Sequence, residues 1–164
     1  MGRRMTVGIA AVIGLFVLAC GSTPTPAANA PTAAPARIGT VGERVEQNGV
    51  ALTVVKTDQR AELDQFQKAK AGNVFLVVEV LIENSGAPKA PYNPLYFTVK
   101  DGDGFEYNAA LVAGDNSLKS GELAQGEKAR GVVAFEVKEN AKGLVLSYKP
   151  LVFGADEAIR VALN

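Results

Sequence analysis

The sequence predicts an all-β domain, an antiparallel β-sandwich of about seven strands, standing behind a signal peptide and a disordered linker. Two observations carry the fold. Apolar residues recur at every second position in run after run, and the runs are separated by dipeptides and tetrapeptides that tolerate positive φ. A third observation is the near absence of helical periodicity, which leaves one segment to consider.

The strands follow in chain order. Val41 to Glu46 is a short candidate. Val50, Leu52 and Val54 alternate with Ala51, Thr53 and Val55, which buries one face and exposes the other. Asp58 to Lys70 is the one segment with a helical stripe, Leu63 and Phe66, and it reads either as a helix or as a long loop. Val74 to Ile82, "VFLVVEVLI", is apolar on nearly both faces, which predicts a central strand covered on two sides. Leu95, Phe97 and Val99 alternate with Tyr96, Thr98 and Lys100, and Val133, Phe135 and Val137 with Ala134, Glu136 and Lys138. On this assignment Phe135→Ala costs about 3 to 5 kcal/mol and Glu136→Ala stays within about 0.5. Leu144 to Tyr148 and Ile159 to Leu163 complete the set.

Turns fall between them at Asn48-Gly49, Asn84-Ser85-Gly86, Asp101-Gly102-Asp103-Gly104 and Gln125-Gly126-Glu127. Short strands at this spacing make a sandwich of the immunoglobulin type. The Cys-Trp-Cys core of antibody domains is absent, because the sequence has no Trp and a single Cys.

That cysteine sits in "LFVLACGST", Leu15 to Thr23. Before it come Arg3 and Arg4 and then the uncharged run Val7 to Ala19, the charged and apolar regions of an export signal. As a helix the run reaches about 20 Å, short of the bilayer's apolar thickness of about 30 Å, so residues 1–19 are expected to be removed. Val17-Leu18-Ala19-Cys20 resembles the bacterial lipobox, whose cysteine is diacylated before cleavage. The resemblance implies palmitate-type lipidation of Cys20, a membrane anchor, and a protein on the extracytoplasmic face of the cell membrane. Conventional cleavage after Ala28-Asn29-Ala30, giving a secreted protein, is the alternative.

Gly21 to Ala36 has no charge and four prolines. It cannot bury a core and favours extended conformations, so residues 20–36 read as the lipidated Cys and a Pro/Ala/Thr-rich linker. Residues 37–164 then form one domain. Loss of Arg3 and Arg4 leaves fifteen basic against seventeen acidic residues, a net charge of −2, which offers no basic field for nucleic acid.

Three blocks, "GNVFLVVEVLIENSGAP" (Gly72 to Pro88), "PLYFTVKDGDGFEY" (Pro94 to Tyr107) and "LAQGEKARGVVAFEV" (Leu123 to Val137), resemble in content and order a family of bacterial exported domains. These are telokin-like, immunoglobulin-fold domains of unknown function, related to a mycobacterial secreted immunogenic antigen. The resemblance implies the sandwich and the lipoprotein context. It implies no catalytic residues, binding residues or cofactor.

The chain has no His and no second Cys, so Ser-His-Asp and Cys-His catalysis and imidazole zinc sites are excluded. Ser117 or Ser120 with Lys119 is the residual hydrolase pair. Asp101, Asp103 and Glu106 have the carboxylates for Ca²⁺, but Phe105 stands where a ligand is needed; a solvated hairpin turn is the preferred reading and no metal is expected. A non-enzymatic binding module follows, recognising an extracytoplasmic protein or envelope ligand. An envelope spacer without ligand, or a His-independent hydrolase, are the alternatives. The expected ligand-binding residues are Tyr92 and Tyr96 in "APKAPYNPLY", where prolines stiffen amphipathic aromatic surface. The same prolines also serve to protect a sheet edge, and Asp58 to Lys70, long enough to present its own surface, is the other candidate.

Overall fold

The computed structural model describes residues 37–154 and 157–163; Cys20, the signal segment and the linker lie outside the described residues. Among the described residues the regular structure is β, apart from one 3-10 turn over Pro94–Tyr96. Eleven strands run in chain order: β1 Ile38–Thr40, β2 Arg44–Gln47, β3 Val50–Arg60, β4 Asn73–Asn84, β5 Ala90–Tyr92, β6 Phe97–Lys100, β7 Glu106–Ala110, β8 Gly121–Leu123, β9 Lys128–Lys138, β10 Val145–Tyr148 and β11 Ile159–Ala162.

One layer has the order β1-β11-β10-β6-β7 and the other β7-β9-β4-β3-β2. β7 turns the corner between them, pairing with β6 through Thr98↔Asn108 and with β9 through Ala109↔Phe135. A separate ribbon joins β5 to β8. All pairings are antiparallel except β1 with β11, which is parallel. The expected sandwich is therefore the fold. The strands beyond the seven read from the sequence are short ones, three to five residues long.

Long strands form where alternation is strongest, and they carry the core. Val50, Leu52, Val54, Val78, Val80, Ile82, Phe135, Val137, Leu146 and Val161 are all inaccessible to solvent, and the Tyr148 ring stacks on Phe97 with centroids 4.5 Å apart. β4 is flanked by β3 and β9 over nearly its whole length. As its composition requires, it is covered on both sides: Phe75 and Val77 form a second small core with Ala134 on the outer face, closed by Leu63, Ala69, Ala110 and Val112.

Turn chemistry sets the registers. Asn48 and Gly49 have φ of 51° and 74°, so a two-residue turn joins Gln47 to Val50 with the twist that suits a hairpin. At Gly131 a Cβ would lie 2.5 Å from the Leu118 backbone, so only glycine allows that segment to pack on β9.

One open reading is settled and one expectation needs correcting. Asp58–Lys70 is not a helix, because β3 continues through Arg60 with Asp58, Gln59 and Arg60 registered on Val77, Leu76 and Phe75. The remainder takes the loop alternative, pinched by an antiparallel bridge from Glu62 to Lys68, with Leu63 turned inward and Phe66 85% exposed. Leu95 does not begin the strand of Phe97 and Val99. Asn93 caps a 3-10 turn over Pro94–Tyr96 by accepting the Leu95 N–H at 2.8 Å, and Leu95 faces solvent.

Candidate binding groove

The outer face of β3, β4 and β9 is where two loops stand up from the sheet. Residues 61–70 rise between β3 and β4, and residues 111–118 follow β7. The first loop is internally bonded: the Asp64 carboxylate accepts the Phe66 and Gln67 N–H groups at 2.7 and 2.9 Å, and Ala69 N–H reaches Ala61 O at 2.9 Å. The second returns to β9 through Leu118 N–H to Val132 O at 2.9 Å. Gln67 Nε2 ties them together by donating to Leu111 O at 3.1 Å.

Between the loops lies a groove of about 750 Å³ whose apolar lining includes Leu63, Val77, Val112 and Val132. Its rim is charged. Glu79 accepts from Arg130 Nε at 2.6 Å and pairs with Lys56 Nζ at 3.3 Å, while Arg60 Nε donates to Asp58 at 2.8 Å. The Arg130 guanidinium, then the opposing cost of partial burial, then Lys56, set the Glu79 carboxyl, which is held below the usual carboxylate range. An apolar floor inside a ring of paired charges suits an amphipathic partner. Beside it, Phe66 and Leu111 are 85% and 80% exposed, large apolar side chains displayed on the two linked loops.

The residues singled out in the sequence lie elsewhere or are committed to structure. Tyr92 ends β5 opposite Gly121, and its ring occupies the space a Cβ there would need, 2.7 Å from Tyr92 Oη. Tyr96 is half-buried against the core and its carbonyl accepts Lys149 N–H at 2.9 Å. Neither tyrosine lines the groove. Asp101 caps the β6–β7 turn: its carboxylate accepts Asp103 N–H, Phe105 N–H and the Tyr107 hydroxyl at 3.1, 2.8 and 2.7 Å. Those bonds, the Tyr107 hydroxyl foremost, lower its pKa. Among the described residues no His, Cys, Asp and Glu cluster is placed to hold a metal.

Ser117 and Lys119 do meet, with Lys119 Nζ 2.8 Å from Ser117 Oγ and 3.1 Å from Gly114 O. The serine donates to Gly114 O at 2.9 Å. Its proton is thus directed at a carbonyl, and the lysine is a donor to Oγ where a general base would have to accept.

Asp58 to Lys70, the other candidate surface in the sequence, supplies part of the lining, but the groove as a whole was not legible from sequence. Its lining comes from separated segments of chain, and Phe66 reads as part of a helical stripe until the backbone shows otherwise. Among the described residues no helix is long and apolar enough to cross a membrane.

No curated protein sequence matches the chain. Solved structures share its fold. Similar to it are ycdA of Bacillus subtilis, a candidate lipoprotein (TM-score 0.62, 14% identity, 73% of this chain and 38% of that one), and yjhA of the same organism (0.62, 22%, 77% and 100%). The secreted protein MPT63 of Mycobacterium tuberculosis is a third (0.58, 13%, 79% and 98%). The chain thus spans well under half the length of ycdA and nearly all of the other two. A family model matches residues 39–159, nearly the whole of the sandwich, and on that match the chain belongs to the family described as Domain of unknown function (DUF4352).

Proposed function

We propose that this chain is a lipid-anchored, extracytoplasmic binding module with a telokin-like domain, which holds its partner over the outer face of β3, β4 and β9 without turning it over. The groove carries this reading: an apolar floor and a rim of paired charges, with Phe66 and Leu111, outside its lining, displayed on the two loops that wall it. Exposed large apolar side chains cost solubility and mark contact surfaces when they gather. The anchoring rests on the sequence from Val17 to Cys20, with support from the candidate lipoprotein and the secreted protein among the solved relatives. The absence of His from the sequence and the engagement of the Ser117 hydroxyl with Gly114 O support binding over hydrolysis.

The test is capture from a detergent-solubilised envelope fraction by the full-length chain, comparing wild type, Phe66→Ala and Leu151→Ala. Leu151 is as exposed as Leu111 but lies on another loop. A partner held by wild type and Leu151→Ala but weakened about tenfold or more by Phe66→Ala is expected, as for an interface anchor of about 2 kcal/mol. Equal capture by all three, or no capture, would sink the groove as the site, and the latter would favour a spacer.

A further inference from the structure

The longest strands of the outer layer are not equally covered. β3 has eleven residues, yet β2 pairs only with Val50–Thr53. After one bond from Gly42 N–H to Val54 O at 2.8 Å, nothing among the described residues pairs with β3 on the side away from β4. The ladder tells which groups are left free. Asn84 N–H bonds Glu127 O at 3.0 Å and Asn84 O accepts Gly126 N–H at 2.8 Å, both on the β9 side. In an antiparallel strand successive residues alternate in the direction of their amides. Glu79, Val77 and Phe75 therefore direct theirs to β3, where Lys56, Asp58 and Arg60 are their partners. Thr57 and Gln59, of opposite phase, turn N–H and C=O outward to the open edge.

Both faces of this edge are hollow. On the outer face Lys56, Asp58 and Arg60 border the groove already described. On the inner face Thr57 and Gln59 border a second cavity of about 470 Å³, lined also by Leu76, Leu144 and Leu163 and, at its polar side, by Asp58 and Lys142. A strand laid beside Val55–Arg60 would satisfy the free backbone groups and send alternate side chains into the two cavities. That is the way extended peptides add to sheets: backbone bonds give affinity and side-chain pockets give specificity.

We propose that this edge of β3 is a strand-addition site for an extended peptide with alternating apolar and charged residues. The proposal deepens the binding-module reading and rests on it. Apolar positions are called for inside, where Leu76, Leu144 and Leu163 form the apolar part of a lining whose polar part is Thr57, Asp58, Gln59 and Lys142. Outside, Lys56, Asp58 and Arg60 are paired within the chain but exposed, and an acid, a base and an acid are the cross-strand neighbours that complement them. A second copy of the same edge fits poorly, since antiparallel pairing centred on Asp58 would set Asp58 against Asp58 and Lys56 against Arg60, like charge against like.

The probe is a fluorescein-labelled peptide VEVKVEV, whose outward row is the same in either strand direction, titrated into the full-length chain in detergent and followed by anisotropy. Saturable binding is expected, with at least about tenfold loss for Gln59→Pro and for Thr57→Pro, which remove an outward donor and leave the β4 ladder intact. Gln59→Ala, which keeps the backbone donor, should stay within about twofold. Circular dichroism checks that the variants fold. Independently of folding, the peptide methylated at every amide nitrogen and the rearranged VVEEKVV should both fail to bind wild type. Absence of saturable binding, equal binding of either control peptide, or no effect of proline in folded variants would overturn the proposal. So would dimerisation of wild type that the proline variants abolish. Phe66-dependent capture that survives while VEVKVEV fails would remove the strand-addition site and leave the binding module standing; loss of both would remove both.

Discussion

Asn84 shows how one polar side chain can hold several segments at once. It is buried, donates from Nδ2 to Ala87 O and Leu123 O at 3.0 and 2.9 Å, and accepts Gly86 N–H at 3.1 Å. An apolar residue there would leave two buried carbonyls without that donor, a larger loss than the bonds themselves. Phe135 and Glu136 make the complementary case on β9. Phe135 is fully buried, and its truncation to Ala is expected to cost about 3 to 5 kcal/mol. Glu136 points to the opposite face, as the alternation requires, but it is not idle. Its Oε1 accepts Lys70 N–H and Asn73 Nδ2, each at 2.9 Å, fastening the end of the 61–70 loop. Glu136→Ala should therefore cost about 1 to 2 kcal/mol, more than the 0.5 that its outward position alone implies, and Glu136→Gln should restore most of it by keeping an acceptor. Urea unfolding of the three variants checks this; a loss below about 0.5 for Glu136→Ala would show that the loop is held elsewhere.

At the scale of elements, β4 binds the outer layer through charge as well as through its core face. Glu79 is shared by Arg130 of β9 and Lys56 of β3, and Glu83 by Lys128 of β9 and Arg44 of β2. Both carboxyls are held below their usual value of 4.5, Glu79 chiefly by Arg130 and Glu83 chiefly by Lys128. A depressed folded pKa gives stability that is complete above the unfolded value and is lost as pH falls through the folded one. The melting temperature should thus be unaffected by these groups between about pH 8 and pH 6 and should drop below about pH 4.5. In the double variant Glu79→Gln, Glu83→Gln that acid limb should be shallower, each pair being worth on the order of 1 kcal/mol or less. An unchanged limb in calorimetric scans would assign acid sensitivity to other carboxylates. The long strands β3, β4 and β9 were legible because burial imposes period two on them. Strands such as β1, β5 and β8 were not, since three residues hold too little pattern to be told from loop. The open edge of β3 was hidden for a related reason: Thr57 and Gln59 look like ordinary surface, and their free amides follow only from which strand ends early. At Tyr92 the sequence shows an aromatic beside prolines but not its packing, because the Gly121 beneath it is distant in the chain.

For the whole molecule, the sandwich and the proposed attachment answer different demands. With one Cys in the sequence, no disulfide can form within the chain, and stability rests on burial across the two layers, on turns such as Asn48-Gly49 and on the charge rows of the outer face. Under the proposed function, a module that meets partners in the envelope would gain from being held at a surface, because tethering raises local concentration near anything fixed there. The sequence from Gly21 to Ala36, extended at about 3.1 Å per residue, reaches up to about 50 Å, and several acyl chains are needed for the tether to be stable. The expected outcome for Cys20→Ser is release from the membrane pellet or retention of an uncleaved signal, while wild type incorporates labelled palmitate and begins at Cys20. The domain itself, far from the substitution in sequence, should keep its melting temperature and its affinity for VEVKVEV, so that localisation and recognition separate in one variant. If wild type takes up no label and its mature N-terminus follows Ala30, the protein is secreted rather than anchored, and the strand-addition edge must then find its peptide in solution.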